Sequence, residues 1–178
     1  GLKAGDLCAV EPCMNCGHCV ACRQGKTNCC VNLNLIGVHS DGGMRERIVV
    51  PANKLHKSEV LNCDELALVE PLSIGSHAVE RAQLQPGECV LVIGAGPIGL
   101  AVVQFAQFKN VRLIVLDVND SRLAFCRQHY QIEATINAQA DVAGELSRLT
   151  NGEMPTVVFD ATGNQASMNN AFNLVANG

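Results

Sequence analysis

Tryptophan is absent from this chain, tyrosine occurs once, and aromatic residues make up only 3% of its 178 positions. So sparse a set offers few platforms on which single-stranded nucleic acid could stack. Basic residues do not cluster, and the formal net charge is −4. The attraction that draws proteins to nucleic acid or to an anionic membrane surface therefore has no source here. No apolar run reaches the roughly 18 residues that a membrane-spanning helix requires. The opening GLKAGDLCAV has neither a basic lead nor a long apolar stretch, and nothing in it reads as a signal peptide. Internal repeats and low-complexity tracts are missing too. Charged residues account for 17% and hydrophobic ones for 48%, a balance that suits a buried core and excludes a disordered chain. The length accommodates one good-sized domain or two incomplete ones.

Cysteine is plentiful, with ten in all. In a small secreted protein that count would suggest a disulfide scaffold. Here the cysteines share a chain with a long βαβ pattern, which favours reduced thiols, metal binding and the cytoplasm. Cys16, Cys19, Cys22 and Cys30 fall in the spacing C-x2-C-x2-C-x7-C within CMNCGHCVACRQGKTNCC. A short loop of that spacing can wrap four thiolates around a tetrahedral ion. Zinc is the natural occupant, because a borderline-soft d10 ion accepts four thiolates and leaves no position open. Such a site holds a fold together and does no chemistry. Cys13 continues the x2 spacing one step upstream, so Cys13-Cys16-Cys19 is an alternative register of the zinc loop, 13–30. Cys29 has no assigned place. Cys8, Cys63, Cys89 and Cys126 lie singly in apolar surroundings and read as small core residues.

Composition changes near residue 80. The first part is turn-rich and strand-like; Asp41-Gly42-Gly43 reads as a turn feeding a strand from Met44 to Val50, closed by Pro51. From Leu66 to about Arg81 the pattern is helical. Beyond Gln85-Pro86-Gly87, apolar runs alternate with helical stretches. Strands are expected at Cys89 to Ile93, Arg112 to Leu116, Ala134 to Ile136 and Val157 to Asp160. Helices are expected at Pro97 to Phe108, Ser121 to Gln128 (capped by Ser121 or Asp120), Val142 to Leu149 and Gln165 to Val175. Unbroken apolar strands imply a sheet covered on both faces, so the fold class is α/β with a parallel sheet. The chain opens without Met and stops where another parallel strand is due, and it reads as an excerpt of a longer polypeptide.

Gly94-Ala95-Gly96-Pro97-Ile98-Gly99 matches G-x-G-x-x-G, a weak signal alone. It follows an expected strand and opens an expected helix, the context that the motif requires. Gly94 permits the tight turn, Gly96 lets backbone approach a pyrophosphate, and Gly99 lets helix pack closely on strand. The helix N-terminus, which Pro97 and Ile98 open, offers a positive dipole and the N–H groups from Ile98 onward to phosphates. Asp117 ends the second strand, 18 residues after Gly99. There a carboxylate can accept the ribose hydroxyls of NAD and would repel the 2′-phosphate of NADP. Arg122 is placed to reach the adenosine ribose or its phosphate, although a solvated helix-face arginine fits equally well. Ala161 and Thr162 follow the fourth strand at the carboxyl end of the sheet, where ligands bind in open α/β folds. A plain loop is the competing account of them.

The cysteine loop, DGGMRERIVVPA, LALVEPLSIGSHAV, VLVIGAGPIGL and VVFDATGN, in that order, resemble the zinc-dependent medium-chain alcohol and polyol dehydrogenases. The resemblance runs through nearly the whole chain. It implies a partial GroES-like catalytic domain over 1–80 and a partial Rossmann domain, a doubly wound parallel sheet that binds NAD, over 81–178. It also points to Glu70, in Val69-Glu70-Pro71-Leu72-Ser73, as a ligand of a catalytic zinc in the manner of sorbitol-type members. The residue pattern alone also allows a helix-capping glutamate there. The further implications are hydride transfer from a secondary alcohol to NAD, a polyol or sugar-acid substrate, and a homo-oligomeric dimer or tetramer. The family's other catalytic ligands lie upstream of the cysteine loop, in a Cys-Gly segment and a Gly-His-Glu segment, and neither motif occurs ahead of that loop in this sequence. A zinc-stapled nucleotide-binding or interaction module without catalysis is therefore the alternative reading. His77, two helical turns after Glu70, reads as a partly buried helix histidine rather than a ligand. His18, between two of the cysteines, reads as a solvated loop residue, and His39, His56 and His129 carry no distinguishing context.

Overall fold

The computed structural model describes residues 1–132 and 134–177. The chain divides into two compact units, Gly1–Glu70 and Pro71–Gly178.

The first unit is built from short antiparallel pairs. Strand β1 (Cys8–Val10) pairs with β4 (Leu55–Lys57), and β2 (Cys13–Met14) pairs with β3 (Asn34–Leu35). The β2–β3 pair clamps the two ends of the cysteine loop, within which lie a one-turn helix, α1 (Val20–Arg23), and a 3-10 turn (Thr27–Cys29). The strand expected from Met44 to Val50 is not formed; that stretch is irregular. Apolar patterning makes a strand only where a neighbour supplies the ladder, and Met44 and Val49 are almost fully exposed at 104% and 98%.

Helix α2 (Cys63–Ala82) runs through the boundary between the units. It starts three residues before the expected Leu66 because Asn62 and Glu65 form a reciprocal cap. The Glu65 N–H donates to Asn62 Oδ1 (3.0 Å), and the Asn62 N–H donates to Glu65 Oε2 (2.8 Å). Pro71 lies inside this helix, where it removes one backbone donor.

The second unit is a four-stranded parallel sheet in the order β7-β6-β5-β8. Its elements are β5 (Cys89–Ile93), α3 (Pro97–Gln107), β6 (Arg112–Asp117), α4 (Asp120–His129), β7 (Ala134–Asn137), α5 (Val142–Thr150), β8 (Val157–Asp160) and α6 (Gln165–Ala171). All four strands lie where the apolar runs place them. Helix α6 ends short of the expected Val175. Helix α4 is capped by Asn119, not by Ser121 or Asp120: Asn119 Oδ1 accepts from the N–H groups of Ser121 (2.9 Å) and Arg122 (3.2 Å).

Successive side chains of β5 and β6 point to opposite faces, and both faces are buried. Val90, Val92 and Val115 pack with Val102, Val103 and Ala106 of α3 and Leu123 of α4. Leu91, Ile93, Ile114 and Leu116 pack with Leu146 of α5 and Leu174 on the other side. The chain leaves β5 for β6 and β7 on one flank, then returns to lay β8 on the other. The direction of winding therefore reverses at β5, and the reversal opens a crevice beyond the carboxyl ends of β5 and β8. Among the described residues no helix is long and apolar enough to cross a membrane.

Candidate functional site

In the first unit the sulfur atoms of Cys16, Cys19, Cys22 and Cys30 all lie within 4.8 Å of one another. Tetrahedral thiolate around zinc, at about 2.3 Å per bond, places the sulfurs about 3.8 Å apart, so a small contraction closes the set on an ion. Cys13 and Cys29 stand outside the group, which follows the register Cys16 to Cys30 and not the one that includes Cys13.

The loop is already arranged to hold negative sulfur. The main-chain N–H of Cys22 donates to Cys19 Sγ (3.5 Å), and those of Cys16 and Asn32 donate to Cys30 Sγ (3.3 Å each). The N–H groups of Cys22 and Val31 lower the Cys19 pKa to about 6, so this thiol is largely ionised at neutral pH. The N–H groups of His18 and Cys19 lower that of Cys16. At Cys30 the Cys16 N–H pulls downward, but burial and the neighbouring thiols of Cys16 and Cys22 leave the value above its usual one. Burial foremost, then the carboxylates of Glu11 and Glu70, push the Cys13 thiol up, which suits a spectator and not a ligand.

In the second unit the Gly-rich turn sits at the mouth of the crevice. Gly94 has φ +96°, a conformation that other residues adopt only with strain. A Cβ on Gly94 would lie 3.2 Å from both the Ala161 carbonyl and Thr162 Cγ2, so the loop after β8 packs directly on the turn. A Cβ on Gly99 would lie 1.7 Å from the Gly94 carbonyl oxygen, and no side chain fits there. Gly96 is different: its backbone is ordinary (φ −80°), yet a Cβ would meet nothing within 4 Å. The space beside Gly96 is open, as an approaching pyrophosphate needs. Gly96 also caps α3, with Pro97 at the first helical position, and the next N–H groups have no acceptor within the helix.

Asp117 is buried at the end of β6, and its side chain is 4% exposed. Its Oδ2 accepts from the Ala95 N–H (2.6 Å) and its Oδ1 from the Asn119 N–H (2.8 Å). The carboxylate thus ties the Gly-rich turn to the start of α4, and each oxygen retains a lone pair for a hydroxyl. Arg122 Nη1 lies 3.8 Å from Asp117 Oδ2 and is half exposed. Ala161 continues the ladder, its N–H donating to the Ile93 carbonyl (2.8 Å). Thr162 is fixed by Asp160, whose Oδ1 accepts from the Thr162 N–H (2.9 Å) and hydroxyl (2.6 Å). The other Asp160 oxygen accepts from the Ser167 hydroxyl (2.5 Å). The structure therefore places Gly94, Gly96, Pro97, Ile98, Gly99, Asp117, Ala161 and Thr162 at the carboxyl ends of β5, β6 and β8, with Arg122 at the start of α4.

Residues 1–60 match the alcohol dehydrogenase GroES-like domain family, and residues 97–178 match the zinc-binding dehydrogenase family. L-galactonate-5-dehydrogenase of Escherichia coli K12 is 38% identical over 99% of this chain and 52% of its own length. Sorbitol dehydrogenase of Arabidopsis thaliana is 36% identical over 96% of this chain and 49% of its own. An alcohol dehydrogenase of Escherichia coli CFT073, solved with NADH, superposes with a TM-score of 0.87 at 36% identity, covering 96% of this chain and 51% of that one. The chain belongs to the zinc-dependent medium-chain dehydrogenases. It spans about half the length of the curated relatives it matches.

The candidate sites of the two units, each taken by itself, differ in how fully they are furnished. The four sulfurs fit a closed zinc site, and the crevice at the Gly-rich turn fits a dinucleotide. Glu70 lies within α2, eight residues into the helix, so it does not cap that helix. It is exposed, and among the described residues no group of three or more His, Cys, Asp or Glu side chains includes it. One carboxylate does not hold a catalytic zinc, and the described residues supply no set that would. The N-cap role of Asn119 and the bracing role of Asp160 escape sequence reading, because both act on backbone only once the loops are folded. Asn119 does carry a signal in retrospect, since it sits directly ahead of Asp120 and Ser121 at a helix start.

Proposed function

We propose that this protein is an NAD-dependent, zinc-dependent dehydrogenase that oxidises a secondary alcohol of a polyol or sugar acid. The arrangement at the end of β5 carries the reading. An open space beside Gly96, free helix N–H groups behind it and the buried Asp117 carboxylate beside the turn together match the pyrophosphate and ribose of one dinucleotide. The N–H groups at the start of α3 hold the pyrophosphate, Asp117 orients the adenosine ribose with Arg122 at its edge, and Ala161 and Thr162 border the nicotinamide side. NAD, when bound, supplies the hydride acceptor. Asp117 also sets cofactor choice, because a 2′-phosphate would place negative charge against a buried carboxylate.

Cys16, Cys19, Cys22 and Cys30 hold a structural zinc. Glu70 is assigned as one ligand toward a catalytic zinc. The domain assignment follows the same reading: a GroES-like part over 1–80 and a nucleotide-binding part over 81–178. Converging reduced thiols suit the cytoplasm, and the family resemblance suggests a homo-oligomer acting on a small molecule, without nucleic acid or membrane. Turnover of NAD with a panel of polyols and sugar acids tests the activity, with NADH formation expected for at least one. Among the described residues no group of three or more His, Cys, Asp or Glu side chains includes Glu70, and this favours a second reading, a zinc-stapled nucleotide-binding module without catalysis. Binding of NAD, one zinc per full-length chain and no turnover across the panel would establish that reading instead.

A further inference from the structure

Three of the four clustered sulfurs are supported by main-chain N–H groups, which no substitution other than proline removes. Those of His18 and Cys19 serve Cys16, those of Cys22 and Val31 serve Cys19, and those of Cys16 and Asn32 serve Cys30. Cys22 is the exception, because its sulfur receives the side-chain amide of Asn15 (Nδ2 to Sγ, 3.5 Å). The orientation of that amide is in turn held from elsewhere. Asn15 Oδ1 accepts from the ammonium of Lys54 (2.9 Å), which also donates to Glu11 Oε1 (2.5 Å). An ammonium can only donate and a thiolate can only accept. The amide therefore bridges the two in one orientation, carbonyl toward lysine and NH2 toward sulfur.

Lys54 is an unusual lysine. Its side chain is only 9% exposed, and its two partners lie 39 and 43 residues away in sequence. Burying an ammonium is costly unless it is paired and hydrogen-bonded, and here Glu11 neutralises it while Asn15 takes a second donor. Backbone bonds fix the placement: the Glu11 N–H donates to the Lys54 carbonyl (2.9 Å), and the Lys54 N–H donates to the Pro51 carbonyl (2.9 Å). The ammonium is thus delivered to the loop by the strand pairing of β1 with β4.

The geometry points to Lys54 and Asn15 as positioning residues of the metal site, a relay in which the buried ammonium aims the Asn15 amide at Cys22 and stabilises its thiolate. This rests on the reading of the four cysteines as a zinc site. The relay matters because four thiolates around Zn2+ leave two net negative charges, which outer donors must offset. Glu11 completes the charge balance of the lysine without touching sulfur.

The test uses the full-length protein in its zinc-loaded form and follows zinc release to a colorimetric chelator, together with the sulfur-to-metal charge-transfer absorption of the cobalt-substituted form. Wild-type zinc content is measured first, and wild type without zinc on these cysteines would overturn both the site and the relay. With zinc present, Asn15→Ala and Lys54→Met should each speed release by about ten- to a hundredfold and shift the cobalt absorption. The double variant should be no worse than the more severe single one, as expected of two links in one chain. Asn15→Ala changes a partly exposed loop residue, so it remains informative if Lys54→Met fails to fold. Release rates and cobalt spectra matching wild type in Asn15→Ala would overturn the relay while leaving the zinc site intact. Independent, additive effects of the two substitutions would overturn it as well.

Discussion

Gly96 and Gly99 belong to one motif and lie three residues apart, yet the structure requires opposite consequences from filling them. At Gly99 an added Cβ lies 1.7 Å from the Gly94 carbonyl oxygen and 2.9 Å from its carbon. Both are backbone atoms that cannot rotate away. Gly99→Ala gains about 1 kcal/mol of helix propensity and meets overpacking of about 3 kcal/mol, the upper end for one added group. The net loss is about 2 kcal/mol, or about 4–8 °C in Tm for a chain of this size. At Gly96 the added atoms meet nothing within 4 Å, and φ is −80°. Serine is also a better helix cap than glycine by a few tenths of a kcal/mol, roughly. Gly96→Ser should therefore fold as stably as wild type or slightly better. Its hydroxyl would nevertheless occupy the pyrophosphate space and compete for the helix N–H groups. Losing one charge-assisted hydrogen bond, at about 1.5–3 kcal/mol, weakens NAD at least about tenfold. Thermal unfolding and calorimetric NAD titration of the two variants read the contrast directly. A Gly99→Ala protein as stable as wild type, or a Gly96→Ser protein that binds NAD normally, would refute the reasoning.

Other substitutions probe the remaining parts. Cys19→Ser should reduce zinc content by one ion per chain and lower thermal stability; a variant that keeps its full complement of zinc would remove the loop from the metal site. Asp117→Ala should weaken NAD by about tenfold or more and narrow the preference over NADP, and an unchanged NAD-to-NADP ratio would exclude the ribose role. For Asp160, burial pushes the pKa up, but the bonds from Ser167 and Thr162 outweigh it and hold the carboxyl below its usual 3.8. A folded-state value below the unfolded one gives stability that is complete above about pH 4 and is lost as pH falls through the folded value. Asp160→Asn should flatten the stability profile below about pH 4, whereas superimposable acid limbs would show that Asp160 contributes nothing.

Legibility in the sequence followed the range of the forces involved. The strands of the parallel sheet read directly, because runs such as Cys89–Ile93 are buried on both faces and need little outside information. The cysteine loop read directly too, since its four clustered cysteines lie within fifteen residues. Spacing alone did not choose between Cys13 and Cys30, and the folded loop does, by leaving Cys13 beside Glu11. The strand expected at Met44 to Val50 failed because pairing depends on a neighbour that local pattern does not reveal. Lys54 was invisible for a related reason. Lysine is ordinarily a surface residue, and the partners that make its burial tolerable come from a distant stretch of chain. Glu70 was visible only through resemblance; its position inside α2 removes the capping alternative, and among the described residues no group of three or more metal-binding side chains includes it.

Native mass spectrometry of the purified full-length protein, titrated with NAD and then with NADP, addresses the central claim most directly, because metal and dinucleotide are counted on the same ion. The expected spectrum shows every chain carrying at least one zinc, one NAD bound per chain at saturation, and little or no NADP. Chains free of zinc, or chains that take up neither dinucleotide, would contradict it.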